Sequence, residues 1–291
     1  MGVLDSHSDA PVLSGGSAMI HPTAIIHPGA RLDSTVQVGP YTIIDGQVVV
    51  GANCRIGPHV HLTGHTTIGT DNTFHTGCVI GDAPQDLKYK GEPTRLRIGD
   101  HNVFREHVTV HRATGETEET VVGSNNFLMA HSHVGHNARV GDQVILVNGS
   151  MLGGHAQVQD RAFISGNCLV HQFVRVGTLA LMQGGSAATV DLPPFCVMRD
   201  VNVLCGINIV GLRRAGLGSE ERLELKRLYH ALFRSGQRLS VALAAARSHY
   251  KGDRARALLD FVATAKRGVC VDCGGMDGEE PTRGEGQQAL S

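Results

Sequence analysis

Aliphatic or aromatic residues recur at every sixth position through most of the chain, and this period constrains the fold more than any other feature. The repeat runs through residues 20–80, resumes at 98–110 and runs again through 122–182. A period of six matches neither a 3.6-residue helix nor a simple alternating strand. It is typical of hexapeptide repeats, three of which form one triangular coil of a parallel β-helix. We therefore predict a mainly β chain whose sixth residues point inward and stack from coil to coil.

The composition agrees with such a narrow interior. Only 4% of residues are aromatic, Trp is absent, and 37 glycines are available for the corners. The net charge of −1 gives no basic excess of the kind that nucleic-acid-binding proteins carry. No apolar run reaches the roughly 18 residues of a membrane span. We expect neither nucleic acid nor a membrane span among the partners of the chain.

The period also divides the chain into segments. Residues 1–18 are rich in Ser and Gly and lack the apolar run of a signal peptide. Pro193 and Pro194 cannot donate to a strand ladder, so we expect the repeat to end at residues 191–194. Apolar residues then return at helical spacing between Ser219, a predicted N-cap, and Gly268, a predicted stop. The predicted segments are a disordered leader (1–18), a β-helix (19–196), a small C-terminal α-helical domain that caps it (197–267) and a disordered tail (268–291).

The seven cysteines are scattered rather than paired in an evident framework. Five of them fall in apolar or repeat sequence, as free thiols of a reducing compartment do. Cys270 and Cys273 form a lone CxxC motif without the two further ligands that a zinc site requires. We therefore expect a cytoplasmic protein and no structural zinc.

Two stretches interrupt the six-residue rhythm. Residues 81–97 carry Pro84 and Pro93, and residues 112–120 are polar. Long loops on a rigid scaffold often carry function, so we expect both of these loops to be functional.

Histidines gather at one edge of the predicted coils. Inward positions 134, 152 and 170 are 18 residues apart and stack on one face. His136, His155 and His171 follow these positions within three residues. A histidine in such a groove could act as a general base. Alternatively, His131 and His136 could bind a metal with a ligand from a neighbouring chain, or the histidines could simply occupy surface corners.

Several short segments carry a resemblance to a known family. They are 21–25, 85–89 with 91–95, 110–112, 152–155, 170–173, 191–194 and 206–209. Together they closely resemble the acyl-[acyl-carrier-protein]–UDP-N-acetylglucosamine O-acyltransferases, which begin lipid A biosynthesis. The resemblance covers about residues 19–267. The QDLKY…GEPTR loop and the His-Gln-Phe tripeptide are specific to this family, whereas the bare repeat is shared by unrelated functions.

The resemblance implies a left-handed β-helix, a homotrimer and an active site between subunits. It implies acyl carrier protein as the acyl donor and UDP-N-acetylglucosamine as the acceptor, with no cofactor, metal or covalent enzyme intermediate. His136 matches the general base that deprotonates the sugar 3-hydroxyl. The backbone N–H of Gly154 matches the group that stabilises the oxyanion.

The resemblance also implies substrate contacts. The matching positions are Gln85, Asp86, Lys88, His111, His133, His155, His171, Gln172, Gly184, Asn208 and Arg214. Gly184 matches a position where side-chain size limits the acyl chain, so glycine favours a longer chain there; alternatively, it serves only a corner.

Two positions depart from the family pattern. Asn137 stands where the family often has aspartate; its amide oxygen can accept the imidazole N–H but cannot stabilise imidazolium by charge. Ala215 stands where the family has an arginine that contacts phosphate, which leaves Arg213 and Arg214.

Two alternative functions remain open at the level of sequence. One is a related transferase with another donor or acceptor, such as an amino sugar acylated on nitrogen. The other is a trimeric zinc carbonic anhydrase, favoured by the spacing of His131 and His136. If the donor is acyl carrier protein, which is acidic, Arg175, Arg213 and Arg214 could attract it electrostatically.

Overall fold

The computed structural model describes residues 19–272, and most of them form a left-handed parallel β-helix with three faces, as predicted. The strands, in chain order, are β1 (Ile25–Ile26), β2 (Arg31–Leu32), β3 (Gln37–Val38), β4 (Ile43–Ile44), β5 (Val49–Val50), β6 (Arg55–Ile56), β7 (His61–Leu62), β8 (His65–Ile68), β9 (Thr73–Phe74), β10 (Val79–Asp82), β11 (Arg95–Ile98), β12 (Val103–Phe104), β13 (Thr109–His111), β14 (Glu119–Val122), β15 (Phe127–Leu128), β16 (His133–Val134), β17 (Arg139–Val140), β18 (Ile145–Leu146), β19 (Met151–Leu152), β20 (Gln157–Val158), β21 (Phe163–Ile164), β22 (Leu169–Val170), β23 (Arg175–Val176), β24 (Leu181–Met182), β25 (Ala187–Ala188), β26 (Cys196–Arg199), β27 (Val203–Ile207) and β28 (Val271–Asp272).

Each face of the triangle is one sheet. The first face has the order β1-β4-β7-β10-β13-β16-β19-β22-β25, and the second has the order β2-β5-β8-β11-β14-β17-β20-β23. The third face runs from β3 through every third strand to β24 and is extended by β26, β27 and β28. Strands on neighbouring coils pair in parallel, so a position on one coil lies directly above its equivalent on the coil below.

The predicted inward positions form the core. From Val38 to Met182 all of them are buried, whereas Ile20, Ile26 and Leu32 in the first coil are partly or largely exposed. Within residues 19–272 no coil lies beneath the first one, which explains the exception. A second inward row lies two residues earlier in each repeat, because side chains alternate along a strand. It holds smaller residues, Cys54 among them.

The corners use two different residues for two different demands. Glycine after the inward residue allows close approach, since a Cβ on Gly51 would lie 2.6 Å from the Gly69 carbonyl oxygen. The third residue after the inward one takes the left-handed backbone, as at Asn53, Asn137 and His155. Asn and His tolerate this conformation better than most residues.

The β-structure extends further than the sequence predicted. Leu192 bridges to Val176, and β26 pairs in parallel with β24, so the Pro193–Pro194 pair occupies a corner instead of ending the coil. β26 and β27 then form an antiparallel pair, and the predicted boundary after residue 196 falls inside β26.

The first residues of the predicted tail also belong to the fold. β28 pairs with β27, and Val269 and Cys270 are buried, so residues 268–272 are not a disordered tail. Cys270 packs in the core with its sulfur 3.5 Å from that of Met198. The predicted leader at 1–18 and the rest of the tail, with Cys273, lie outside the described residues.

Four helices form the domain at the C-terminal end of the coils. They are α1 (Ile209–Arg214), α2 (Ser219–Phe233), α3 (Leu239–His249) and α4 (Asp253–Ala263). α1, which Asn208 caps, was not predicted, and the N-cap of α2 is Gly218, one residue before the predicted Ser219. α4 ends before the predicted stop at Gly268. Within residues 19–272, no helix is long and apolar enough to cross a membrane.

Arg175 connects the helical domain to the coils. Its guanidinium pairs with the buried Asp191 at 2.6 Å, donates to the Phe261 carbonyl and lies 4.2 Å from the centre of the Phe261 ring. These contacts make Arg175 a structural residue here, which argues against its expected role in attracting a carrier protein.

Candidate active site

The corner between the first and second faces brings the predicted catalytic residues together. β16, β19 and β22 lie on adjacent coils of the first face. His136 follows β16, Gly154 and His155 follow β19, and His171 follows β22. The structure therefore places these residues along one edge, as the repeat spacing predicts, with about 4.8 Å between coils.

A cavity of about 470 Å³ opens at this corner. Seven of the predicted site residues line it: Gln85, His111, His133, His136, Gly154, His171 and Gln172. Met151, Leu169 and Ala187, which point outward from the first face, give one wall an apolar surface. The cavity thus combines a polar end, rich in imidazole, with an apolar strip suited to a hydrocarbon chain.

His136 is held by groups on both sides of its ring. Its Nδ1 lies 2.9 Å from Asn137 Oδ1. A Cβ built on Gly154 would come within 2.5 Å of His136 Nε2, so the ring lies directly against the Gly154 backbone. Within residues 19–272 the Gly154 N–H makes no hydrogen bond. His136 Nε2 therefore lies at the cavity beside a backbone whose N–H has no partner among the described residues.

Two further histidines at the cavity are kept neutral by their surroundings. Burial, reinforced by the neighbouring His111 and His136, lowers the pKa of His133 to about 4. Burial also lowers the pKa of His111, whose Nδ1 has no partner in the described chain. His133 Nδ1 lies 2.7 Å from Thr109 Oγ1. Near neutral pH both rings are therefore uncharged and can offer hydrogen bonds to an uncharged sugar.

His155 supports the site from the adjacent coil. Its ring stacks on Phe173 with 4.4 Å between centroids and meets the His136 ring edge-on at 5.3 Å. Burial lowers the pKa of His155, and the charge that His136 would carry lowers it further. His155 does not line the cavity itself; what the structure shows is that it packs against the His136 ring.

The first loop, residues 83–94, is shorter than the predicted 81–97 and reaches the cavity. Gln85 lines the cavity, while Asp86 accepts a hydrogen bond from the Lys88 backbone at 3.0 Å. Lys88 is exposed. Arg112 holds the loop, because its guanidinium donates to the Gly81 carbonyl and to the Tyr89 hydroxyl, each at 2.8 Å.

Three predicted contacts lie elsewhere in the chain. Gly184 is exposed at the corner between the third and first faces. Asn208 accepts from Gly211 N–H and donates to the Leu179 carbonyl, so it serves as a helix cap. Arg214 lies at the end of α1. Within one chain, none of the three lines the cavity.

His131 and His136, the possible zinc ligands of the carbonic anhydrase alternative, lie at different corners of the coil. His131 precedes β16 and stacks on His107, with 5.2 Å between ring centroids, whereas His136 follows β16. In the part of the chain that the structure describes, no three His, Cys, Asp or Glu residues are grouped as metal ligands.

Several residues of the site escaped sequence reasoning. Thr114 contacts Asn137, and Phe173 stacks on His155. Met151 and Leu169 could have been found, because each directly precedes an inward residue and so points outward beside the histidines. Thr114 carries no such signal, because it lies in an insertion outside the repeat.

Comparisons with known proteins agree with this geometry. A profile of hexapeptide transferase repeats matches residues 31–64, 47–82 and 119–154. A profile described as UDP-N-acetylglucosamine O-acyltransferase, domain 2, matches residues 191–270. Curated acyl-[acyl-carrier-protein]–UDP-N-acetylglucosamine O-acyltransferases are similar along almost their whole length. The one from Herminiimonas arsenicoxydans is 42% identical, over 87% of this chain and 99% of its own. The one from Gloeothece citriformis is 44% identical, over 89% and 95%.

The chain belongs to this acyltransferase family. Solved structures agree: the UDP-N-acetylglucosamine acyltransferase of Francisella novicida superimposes with a TM-score of 0.85 at 35% identity, covering 88% of this chain and 95% of that one. The enzyme from Bacteroides fragilis gives 0.82 at 37% identity, covering 86% and 99%. As a member of the acyltransferase family, the chain is an acyltransferase.

Proposed function

We propose that the chain transfers an (R)-3-hydroxyacyl group from acyl carrier protein to the 3-hydroxyl of UDP-N-acetylglucosamine. The observation that carries the proposal is the placement of His136 Nε2 beside the Gly154 backbone, at the polar end of a cavity with an apolar wall. The names of the relatives supply the substrates, and this cavity offers a place for both an acyl chain and a sugar.

In the proposed mechanism His136 acts as the general base. Nε2 takes the proton of the sugar 3-hydroxyl while the oxygen attacks the thioester carbonyl. The Gly154 N–H donates to the carbonyl oxygen as it gains charge. The C–S bond then breaks, and the proton on Nε2 passes to the departing sulfur. Each step uses only groups that the chain and its two substrates provide.

We propose that a homotrimer completes the site. Met151 and Leu169 on the first face are each 49% exposed, and outward residues of the third face are also apolar, such as Phe127 and Phe163. The second face instead presents charged residues such as Arg139. Packing the first face of one copy on the third face of another would cover the apolar strip. Neighbouring copies are then the source of the contacts predicted for Gly184, Asn208 and Arg214.

The remaining contacts follow from position. Gln85, His111, His133, His171 and Gln172 line the cavity and are proposed to contact the sugar or the acyl chain. Asp86 and Lys88 lie on the same loop as Gln85 and are proposed to contact the substrates from that loop. We place the reaction in the cytoplasm, since the six cysteines within residues 19–272 are free thiols, which suits a reducing compartment.

The test is product analysis with purified enzyme. UDP-N-acetylglucosamine and a mixture of carrier-bound 3-hydroxyacyl chains should yield one mono-O-acylated sugar nucleotide by mass spectrometry. His136→Ala should lower turnover by about 10²–10⁴-fold, whereas His131→Ala, on the other corner, should leave it unchanged. Equal use of coenzyme A thioesters, preference for a 3-amino sugar, or normal turnover by His136→Ala would each reject part of the proposal.

A further inference from the structure

The second loop, residues 112–118, returns to the candidate active site and forms hydrogen bonds with Asn137. Both the backbone N–H and the hydroxyl of Thr114 donate to Asn137 Oδ1, at 2.9 and 3.0 Å. Asn137 Nδ2 donates to the Thr114 carbonyl at 3.0 Å. Asn137 is only 6% exposed, so one residue of the loop satisfies most of the hydrogen-bonding capacity of a buried amide.

These bonds fix which end of the amide faces which partner. A backbone N–H can only donate and a carbonyl can only accept. If the Asn137 amide were flipped, its NH₂ group would face the Thr114 N–H and its oxygen would face the Thr114 carbonyl. Two favourable contacts would become two repulsive ones. The amide oxygen therefore faces both the Thr114 N–H and His136 Nδ1.

The orientation of the Asn137 amide determines which nitrogen of the His136 imidazole carries the proton. An amide oxygen can only accept, so Nδ1 of His136 carries the proton in the 2.9 Å contact. A neutral imidazole has one N–H, which leaves a lone pair on Nε2. Nε2 is the nitrogen that lies against the Gly154 backbone in the cavity.

The loop itself is firmly attached on both sides of Thr114. Ala113 is fully buried and its N–H donates to the Arg95 carbonyl at 3.3 Å. Arg112 is tied to the first loop through Tyr89. The Asn137 N–H donates to Thr120 Oγ1 at 2.8 Å. Such a supported arrangement can hold a catalytic side chain in one geometry.

We infer that Thr114 is a positioning residue that, through Asn137, selects the His136 tautomer whose Nε2 can accept the proton of the acceptor hydroxyl. The inference rests on the proposed function for the identity of that hydroxyl, whereas the tautomer is a property of the protein alone. It also explains why asparagine suits this chain. A carboxylate at position 137 could not donate to the Thr114 carbonyl and would place a negative oxygen against it.

The direct test is ¹⁵N NMR of the full-length enzyme labelled at histidine, with the His136 signals assigned from a His136→Gln variant. We expect a protonated Nδ1 and an unprotonated Nε2 in the wild type near pH 8. Asn137→Leu should give a mixture of tautomers. The opposite tautomer in the wild type, or an unchanged tautomer in Asn137→Leu, would overturn the inference.

Kinetics provide a second readout through a double-mutant cycle. Thr114→Val removes one of the three hydrogen bonds between Thr114 and Asn137, so it should lower kcat about five-fold with KM unchanged. Thr114→Ser keeps the hydroxyl and should retain the wild-type kcat. In the Asn137→Leu background, Thr114→Val should have no further effect. An equal loss in both backgrounds would mean that Thr114 does not act through Asn137.

The pH profile separates charge from geometry. The titratable groups facing His136 are His155, His111 and His133, with Glu118 and Asp86 acting on His155. Asn137→Asp alters none of these groups but adds a carboxylate beside the ring. The acidic limb of the kcat/KM profile should therefore move up by about one pH unit or more. An acidic limb that does not move would mean that residue 137 does not act on His136.

Asn125 provides the matched control for the substitutions at Asn137. Asn125 has the same left-handed corner conformation but lies outside the cavity, so Asn125→Leu should match the backbone strain without changing kcat or the His136 signals. The wild type could fail to transfer an acyl group from the carrier protein to any sugar nucleotide and still show an unprotonated His136 Nε2. In that case the proposed function fails and the inference about Thr114 stands.

Discussion

Histidine is abundant in this chain partly because of the backbone at the corners. His59, His101, His107, His131 and His155 all take the left-handed conformation three residues after an inward side chain. Histidine tolerates that conformation better than most residues. His136 is different, because the left-handed position in its repeat is taken by Asn137. The backbone conformation therefore gives no reason for a histidine at 136, whereas its contacts do.

At the scale of residues, the sequence predicted positions better than contacts. Repeat spacing was sufficient to place His136, His155 and His171 at one edge, because coils repeat every three hexapeptides. It could not show that His155 turns toward Phe173 and away from the cavity, since that depends on the rotamer and the backbone at the corner. It also could not supply Thr114, because a loop outside the repeat has no register to follow.

Gly154 offers a residue-scale prediction. Gly154→Ala would place a methyl group where His136 Nε2 now lies, so the ring must move. We expect kcat to fall about 100-fold, as misplacement of a catalytic group by about 1 Å can cause, while the melting temperature changes little. Steady-state kinetics and calorimetry measure the two effects.

The matched control is Gly166→Ala at another corner. There a Cβ would have its nearest neighbour at 3.4 Å, an ordinary contact. This variant should keep wild-type kcat. Normal turnover by Gly154→Ala would mean that the contact between His136 and Gly154 plays no part in the reaction.

Among the elements, the two loops behave as one unit. Arg112 begins the second loop, donates to Tyr89 and Gly81, and stacks over the Tyr89 ring at 5.4 Å. The first loop carries Gln85 into the cavity, and the second carries Thr114 to Asn137. One guanidinium thus connects the proposed substrate loop to the loop that orients the proposed base.

Replacing this guanidinium should loosen the first loop. Lysine lacks the planar fork that makes both hydrogen bonds, so we expect Arg112→Lys to raise KM for the sugar nucleotide about five- to ten-fold. Trypsin should also cleave faster after Lys88 and Lys90. Arg97→Lys, which alters an exposed pair with Glu119, is the control and should change neither property. Unaltered KM and cleavage in Arg112→Lys would show that the loop is held by other contacts.

The elements at the C-terminal end show where sequence patterns fail. Prolines at 193 and 194 predict the end of a ladder, yet a corner requires no ladder hydrogen bond and accepts them. The short α1 escaped notice because six residues are too few to show a helical period. β28 is only two residues long, and the β27 residues that it pairs with lie 68 positions earlier in the chain, so no local pattern indicates it.

For the whole molecule, the β-helix sets the spacing and direction of the site. Each coil contributes one set of groups at the same corner, so the apolar strip of Met151 and Leu169 runs along the axis beside the imidazoles. A six-residue period predicts this stacking but is the same for either hand of coil. The left hand was instead implied by the family resemblance, and the likeness to solved structures supports it. The number of copies is still a prediction, since an exposed apolar face does not specify a trimer.

The most direct test of the account is a crystal structure of the chain with UDP-N-acetylglucosamine. We predict that the sugar 3-oxygen lies within hydrogen-bond distance of His136 Nε2, in a cleft bounded by two copies, with the imidazole Nδ1 on Asn137. A sugar nucleotide bound away from His136, or a His136 distant from every subunit boundary, would contradict it.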